Sequence, residues 1–257
     1  MDLIKNKIYF ASDFHLGIPD RVESRVRECL LVAWLEQVKI DAKVIYLMGD
    51  LFDFWFEYKT VVPKGYARLF GKLAEITDSG IEIHLFCGNH DLWAFGYLAD
   101  EIGIKLHRIP EITTLLGKKF FLTHGDGLGP GDYAYKFMKW VFESKFHQFL
   151  FGWVHPDIGL KIGAFFSRRS RLTKMLAEGK KYERLNPLED EPIVIFSRQK
   201  AADDPSIDYF VYGHVHFPDI LEVSENAKCV ILGDWVTHFS YGVFNGESLD
   251  IQYFRAE

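Results

Sequence analysis

Six short apolar runs punctuate the chain: Lys7 to Ala11, Lys43 to Met48, Ile81 to Cys87, Lys119 to Thr123, Tyr209 to Tyr212 and Cys229 to Leu232. Each is rich in Val, Ile, Phe or Tyr and carries little polar alternation, as expected of strands buried on both faces. Helical spacing separates the first three. Val22 to Lys39 repeats apolar residues at Val26, Leu30, Ala33 and Val38, and Gly65 to Asp78 does so at Leu69, Leu73 and Ile76. Strand–helix–strand alternation predicts a layered fold with both element types around one core.

The middle of the chain follows another rule. From Tyr133 to His155, nine of 23 residues are aromatic, and from Lys161 to Arg184 eight of 24 are Lys or Arg against two Glu. Neither stretch has strand periodicity. Residues 132–185 therefore read as a helical insertion, not an independent domain, between two sheet-forming parts, 1–131 and 186–257. Asn186 to Pro205, with three prolines and several acids, reads as the linker back.

Composition narrows the function classes. Thirty Lys+Arg against 36 Asp+Glu leave a net charge of −6, so no basic footprint for nucleic acid runs over the whole chain. Cys29, Cys87 and Cys229 are too few and too scattered for a disulfide framework or a thiolate metal site, and read as buried free thiols in a reducing cytoplasm. No signal peptide is visible, and the most apolar stretch, Trp140 to Val154, is broken by Glu143, Lys145 and His147, so no membrane span is expected.

Chemistry gathers where the predicted strands end. Ser12-Asp13-Phe14-His15 follows the first run and Gly49-Asp50-Leu51-Phe52-Asp53 the second. Gly88-Asn89-His90-Asp91, His124-Gly125-Asp126 and Gly213-His214-Val215-His216 follow later ones. Strand ends in layered folds converge on one edge. Asp13, His15, Asp50, Asn89, His124, His214 and His216 together offer carboxylate, imidazole and amide oxygen without thiolate. That set suits Mn²⁺, Fe²⁺, Zn²⁺ or Mg²⁺. Any one of these elements alone also suits a turn or a helix cap; five in this order at strand ends point to a pair of divalent ions acting on a phosphoryl centre.

The five motifs resemble those of the calcineurin-like metallophosphoesterase superfamily over nearly the whole chain. The resemblance implies an α+β fold, a four-layer αββα sandwich with the insertion as a helical lid. It implies one metal held by Asp13, His15, Asp50 and His216 and a second by Asp50, Asn89, His124 and His214, with Asp50 bridging. Mn²⁺ is placed first for both. His90 would be the non-ligand histidine that donates to a phosphate oxygen or leaving group. Asp53 and Asp91 would either orient imidazoles from behind or cap helices.

Gly49 to Trp55, the His124 motif and the aromatic insertion after it resemble UDP-2,3-diacylglucosamine hydrolases of lipid A synthesis, over about residues 7–250. This implies cleavage of a pyrophosphate to UMP and 2,3-diacylglucosamine 1-phosphate by a cytoplasmic enzyme bound peripherally to the inner membrane. The partners implied are a lipid-linked nucleotide sugar and the membrane surface. A monomer is the default, and lid aromatics could form a dimer contact. Arg168, Arg171 and Lys174, at i, i+3 and i+6, would face a pyrophosphate, and Asp132 a sugar or nucleotide group. That family carries Arg where this chain has His90. Alternatives are a metallophosphoesterase for nucleotide phosphodiesters or phosphomonoesters, and a binding scaffold without catalysis.

Overall fold

A computed structural model describes residues 5–131, 133–178 and 187–255, and the side chains of 170–178 are outside the description. Two sheets form the centre. In the first, β1 (Lys7–Ala11), β2 (Ala42–Leu47), β3 (Glu82–Phe86) and β4 (Lys105–His107) run parallel. β10 (Ser240–Phe244) and β11 (Leu249–Tyr253) extend this sheet antiparallel on the other side of β1. The second sheet has the order β5 (Glu111–Leu115), β6 (Lys118–Leu122), β7 (Tyr209–Tyr212), β9 (Lys228–Ile231), β8 (Asp219–Glu222).

Side chains alternate along each strand, and the alternation defines the layers. Ile8 and Phe10 of β1 point between the sheets, where they meet Phe120 and Leu122 of β6 and Val211 of β7. Tyr9 and Ala11 point the other way, onto Leu31, Trp34 and Leu35 of α1 (Arg21–Val38) and Leu69, Leu73 and Ile76 of α2 (Ala67–Asp78). Phe121, Phe210 and Ile231 leave the second sheet on its far face, against Ile193 and Val194 of α7 (Pro192–Asp203). Helices, sheet, sheet and helix stack in four layers, as expected.

Three expectations need correction. The 186–205 linker is a short 3-10 turn at Leu188–Asp190 followed by α7; Pro192 opens that helix, where its missing N–H costs nothing. The buried face of α1 is turned from the expected stripe: Val26 and Ala33 are exposed, while Arg27 and Glu28 are buried. Polar partners explain this. Arg27 donates to the carbonyls of Phe14, His15 and Ile18, and Glu28 accepts from Arg68 N and Leu69 N at the start of α2. Of the cysteines, Cys229 is buried but Cys29 is exposed on α1.

The insertion is helical: α4 (Tyr133–Glu143), α5 (Lys145–Gly152) and α6 (Pro156–Glu178). Phe142 and Phe151 anchor it on Trp93, with ring centroids 5.4 and 4.8 Å away, and Trp93 Nε1 donates to Phe142 O at 2.8 Å. Phe137, Trp140, Phe146, Phe149, Trp153, Phe165 and Phe166 remain exposed. Among the described residues, no helix is long and apolar enough to cross a membrane.

Candidate metal centre

Asp13 and His15 leave β1, Asp50 leaves β2, Asn89 leaves β3, His124 leaves β6, and His214 and His216 leave β7. Parallel strands deliver these ends to one edge. The loops are tight: Asp13, His15, Asp50 and His214 all hold left-handed backbone, with φ of 57°, 44°, 51° and 62°. Non-glycine residues adopt it at a cost that surrounding contacts must offset. Close approach also fixes two glycines. A Cβ on Gly88 would collide with the Asp50 carboxylate, and one on Gly213 with Ser12 Oγ and Asp13 Oδ2.

Donor atoms of the expected ligands converge in two groups, with His15, Asp53 and His90 forming a third beside them. In the first, His216 Nε2 lies 3.2 Å and His15 Nε2 3.5 Å from Asp13 Oδ1, and the two nitrogens are 3.3 Å apart. In the second, Asp13, Asp50 and His124 come together, with His124 Nε2 3.5 Å from Asp50 Oδ2. Ligand atoms held at about 2.1 Å from one ion are separated by roughly 3.0–3.5 Å, so these spacings fit shared cations. Asp13 Oδ1, Asn89 Oδ1 and His124 Nε2 are buried without a hydrogen-bond partner. Such atoms are expensive unless something positive meets them. The His214 ring lies 5.3 Å from that of His124, and its backbone N donates to Asp13 Oδ2 at 2.9 Å.

The electrostatics agree. Burial pushes the Asp50 carboxyl up, but His124, His90 and His15 outweigh it and hold it well below the usual range. Asp13 is held down likewise by His216 and His15 against its burial. Burial pushes His124 down, and Asp50 and Asp13 reverse this, raising it to about 10.

A family model described as calcineurin-like phosphoesterase matches residues 6–218. The chain belongs to the calcineurin-like phosphoesterases. A relative from Porphyromonas gingivalis named UDP-2,3-diacylglucosamine hydrolase is 37% identical, with 97% of this chain and 98% of the relative covered. A Vibrio atlanticus protein of the same name is 26% identical over 96% of each chain. Among solved structures, a zebrafish (Danio rerio) dimetal phosphatase covers 97% of this chain and 96% of its own at 13% identity and a TM-score of 0.47.

Behind the donor atoms, this phosphoesterase orients its imidazoles. His124 Nδ1 donates to Met48 O at 2.8 Å, which leaves Nε2 aimed at Asp50. His216 Nδ1 is 3.3 Å from Asp234 Oδ2, and Asp234 also accepts from Thr237 N and His238 N. Backing of this kind fixes the tautomer and direction of a ligand. Sequence reasoning missed Asp234, although Gly233-Asp234 repeats the Gly-Asp of Gly49-Asp50 at another strand end. It missed Arg27 and Ser167 too, which carried no local signal.

Asp91 does neither of the things expected of it. Its oxygens accept from Gly88 N at 2.6 Å and Leu51 N at 2.7 Å, tying the Asp50 and Asn89 loops together. Burial and the neighbouring Asp50 push it up to about 7 against those two N–H groups. Asp53 stands 3.9 Å from both His15 Nδ1 and His90 Nδ1. His90 Nε2 lies 4.0 Å from Asp50 Oδ2, at the rim of the centre. Of the substrate candidates on the insertion, Arg168 is exposed and donates to Pro19 O. Asp132 and the side chains of Arg171 and Lys174 lie outside the described residues.

A separate group, His84, His107 and Glu111, lies on β3, β4 and β5. His84 Nδ1 and His107 Nε2 bond each other at 2.9 Å, which occupies two of the nitrogens an ion would need.

Proposed function

We propose that this phosphoesterase hydrolyses the pyrophosphate of UDP-2,3-diacylglucosamine, releasing UMP and 2,3-diacylglucosamine 1-phosphate for lipid A synthesis. The observation that carries the reading is the set of buried Asp, Asn and His ligand atoms gathered at the strand ends, with an aromatic helical insertion packed beside them. The name and full-length match of the P. gingivalis relative support the substrate.

Asp13, His15, Asp50 and His216 would hold one divalent ion, and Asp50, Asn89, His124 and His214 the other, with Mn²⁺ as the expected metal. Bound there, the pair supplies Lewis acidity: it acidifies a water and draws charge from phosphoryl oxygens. The remaining chemistry belongs to the chain. The oxygen of water joins the uridine-side phosphorus, and the anhydride P–O bond breaks with its electrons on the sugar 1-phosphate. With Nδ1–H on Asp53 O, His90 donates a hydrogen bond from Nε2 to a phosphoryl oxygen in its doubly protonated form, as charge builds there. Arg168 adds a cation on the insertion side.

The insertion acts as a lid for the acyl chains. Trp93, Val141, Phe142, His147, Leu150, Phe151 and Val154 line a largely apolar cavity of about 330 Å³ between the insertion and Trp93, suited to hydrocarbon. Its outer aromatics lie on the cytoplasmic face of the inner membrane as a surface contact, not a span. A second reading, hydrolysis of a soluble nucleotide phosphodiester or phosphomonoester, draws on His90, the residue type usual across the superfamily.

The test is UMP release by purified Mn²⁺-loaded protein from UDP-2,3-diacylglucosamine in mild detergent, with Asp50→Asn as control. Release is expected only from the unaltered protein. Hydrolysis of simple phosphodiesters without UMP release would discard the lipid substrate and favour the second reading.

A further inference from the structure

Helix α6 reaches from the insertion to the centre at Ser167. Ser167, 6% exposed, donates from Oγ to Asp53 Oδ2 at 2.7 Å and lies 3.3 Å from His90 Nδ1. His90 Nδ1 in turn contacts Asp53 O at 2.7 Å. A backbone carbonyl only accepts, so Nδ1 carries the hydrogen and Nε2 is the nitrogen facing Asp50.

The approach of the helix is built for this contact. Gly159, Gly163 and Ser167 share one face of α6 at i, i+4 and i+8. A Cβ on Gly159 would collide with Tyr58 Oη, and one on Gly163 with the Phe54 ring. The three small residues thus run along Tyr58, Phe54 and Asp53 in turn, and the only hydroxyl of the three ends at the centre.

We infer that Ser167 is a positioning residue: it fixes the Asp53 carboxylate and the His90 ring, so that a residue of the lid sets the direction in which His90 Nε2 faces the centre. The inference rests on the phosphoesterase role proposed for His90 but not on the lipid substrate. The insertion then does more than select substrate, because seating α6 completes the centre for small substrates as well.

The test uses the full chain, Mn²⁺-loaded, with bis(p-nitrophenyl) phosphate as substrate. Ser167→Ala is expected to lower kcat about tenfold, within the range for residues that orient a functional side chain, with KM and bound metal unchanged. Ser167→Thr, which keeps the hydroxyl, should recover most of the rate. Ser167→Cys, which keeps the volume but donates weakly, should not. On a His90→Ala background, Ser167→Ala should cost nothing further. A readout independent of turnover is the ring ¹⁵N spectrum of His90 in metal-free protein, where loss of the hydroxyl should shift or broaden the Nδ1–H signal. An equal loss in kcat with and without His90 would overturn the inference, as would an unchanged rate and ring signal. If the protein cleaves the phosphodiester but never UDP-2,3-diacylglucosamine, the lipid assignment fails and this inference stands or falls on its own data.

Discussion

Arg27 sits inside the molecule with three backbone carbonyls in reach, those of Phe14, His15 and Ile18. One nitrogen, Nη1, reaches all three and so pins the loop that presents Asp13 and His15. Arg27→Met keeps much of the volume and leaves the carbonyls without a donor. We expect a loss of roughly 2–4 kcal/mol in stability and less than two metals per chain, read by thermal melting and elemental analysis; an unchanged melt would show the loop holds itself. His124 gives a pH prediction. Raised to about 10, it is protonated at neutral pH before metal arrives. A cation must displace that proton to reach Nε2, so apparent affinity should rise about tenfold per pH unit for each such proton below that pKa. Titration calorimetry in buffers of different ionisation heat should register the released proton, and buffer-independent heats would contradict it. At this scale the seven candidate positions could be picked out because each is an Asp, Asn or His just after a buried strand, beside or near a glycine. Ser167 could not, because its partner Asp53 lies 114 residues away in the chain.

Elements were legible where they are buried on both faces. β1, β2, β3, β6, β7 and β9 read as apolar runs, whereas β5, Glu111–Leu115, alternates as an edge strand with one open face, and β10 carries Gly242 in its middle. Proline misled at α7, where it marks a beginning, not a break. Two glycines in helices now separate sharply. Gly71 in α2 has open space where a Cβ would go, so Gly71→Ala should raise stability by about 0.5–1 kcal/mol, measured by denaturant unfolding. Gly163 has the Phe54 ring there instead. Gly163→Ala should push α6 off the Asp53 loop and lower turnover of small and lipid substrates together; loss on the lipid alone would mean the helix serves only substrate capture.

Across the whole molecule, apolar exposure is concentrated on one part, the insertion, where Phe146, Phe149 and Trp153 are all more than half exposed. Each such side chain carries roughly 1.5–3 kcal/mol of transfer free energy if fully buried. Phe149→Ser with Trp153→Ser should therefore weaken binding to anionic phospholipid vesicles at least tenfold in a flotation assay, while phosphodiester hydrolysis in solution stays unchanged. Equal flotation of both proteins would remove the membrane surface as the partner of this face. The pairing of Tyr9 with Val243 carries a consequence of a different kind. β1, made well before β10, keeps one edge open until β10 is available. The Asp13 backbone is likewise held by Trp235 N, and its carboxylate by His214 N. A nascent chain that has reached His124 therefore has most of the pieces of a sheet but an ion cage still open on the side of His214 and His216. The candidate cage therefore closes only when the segment carrying His214 and His216 is seated against Asp13.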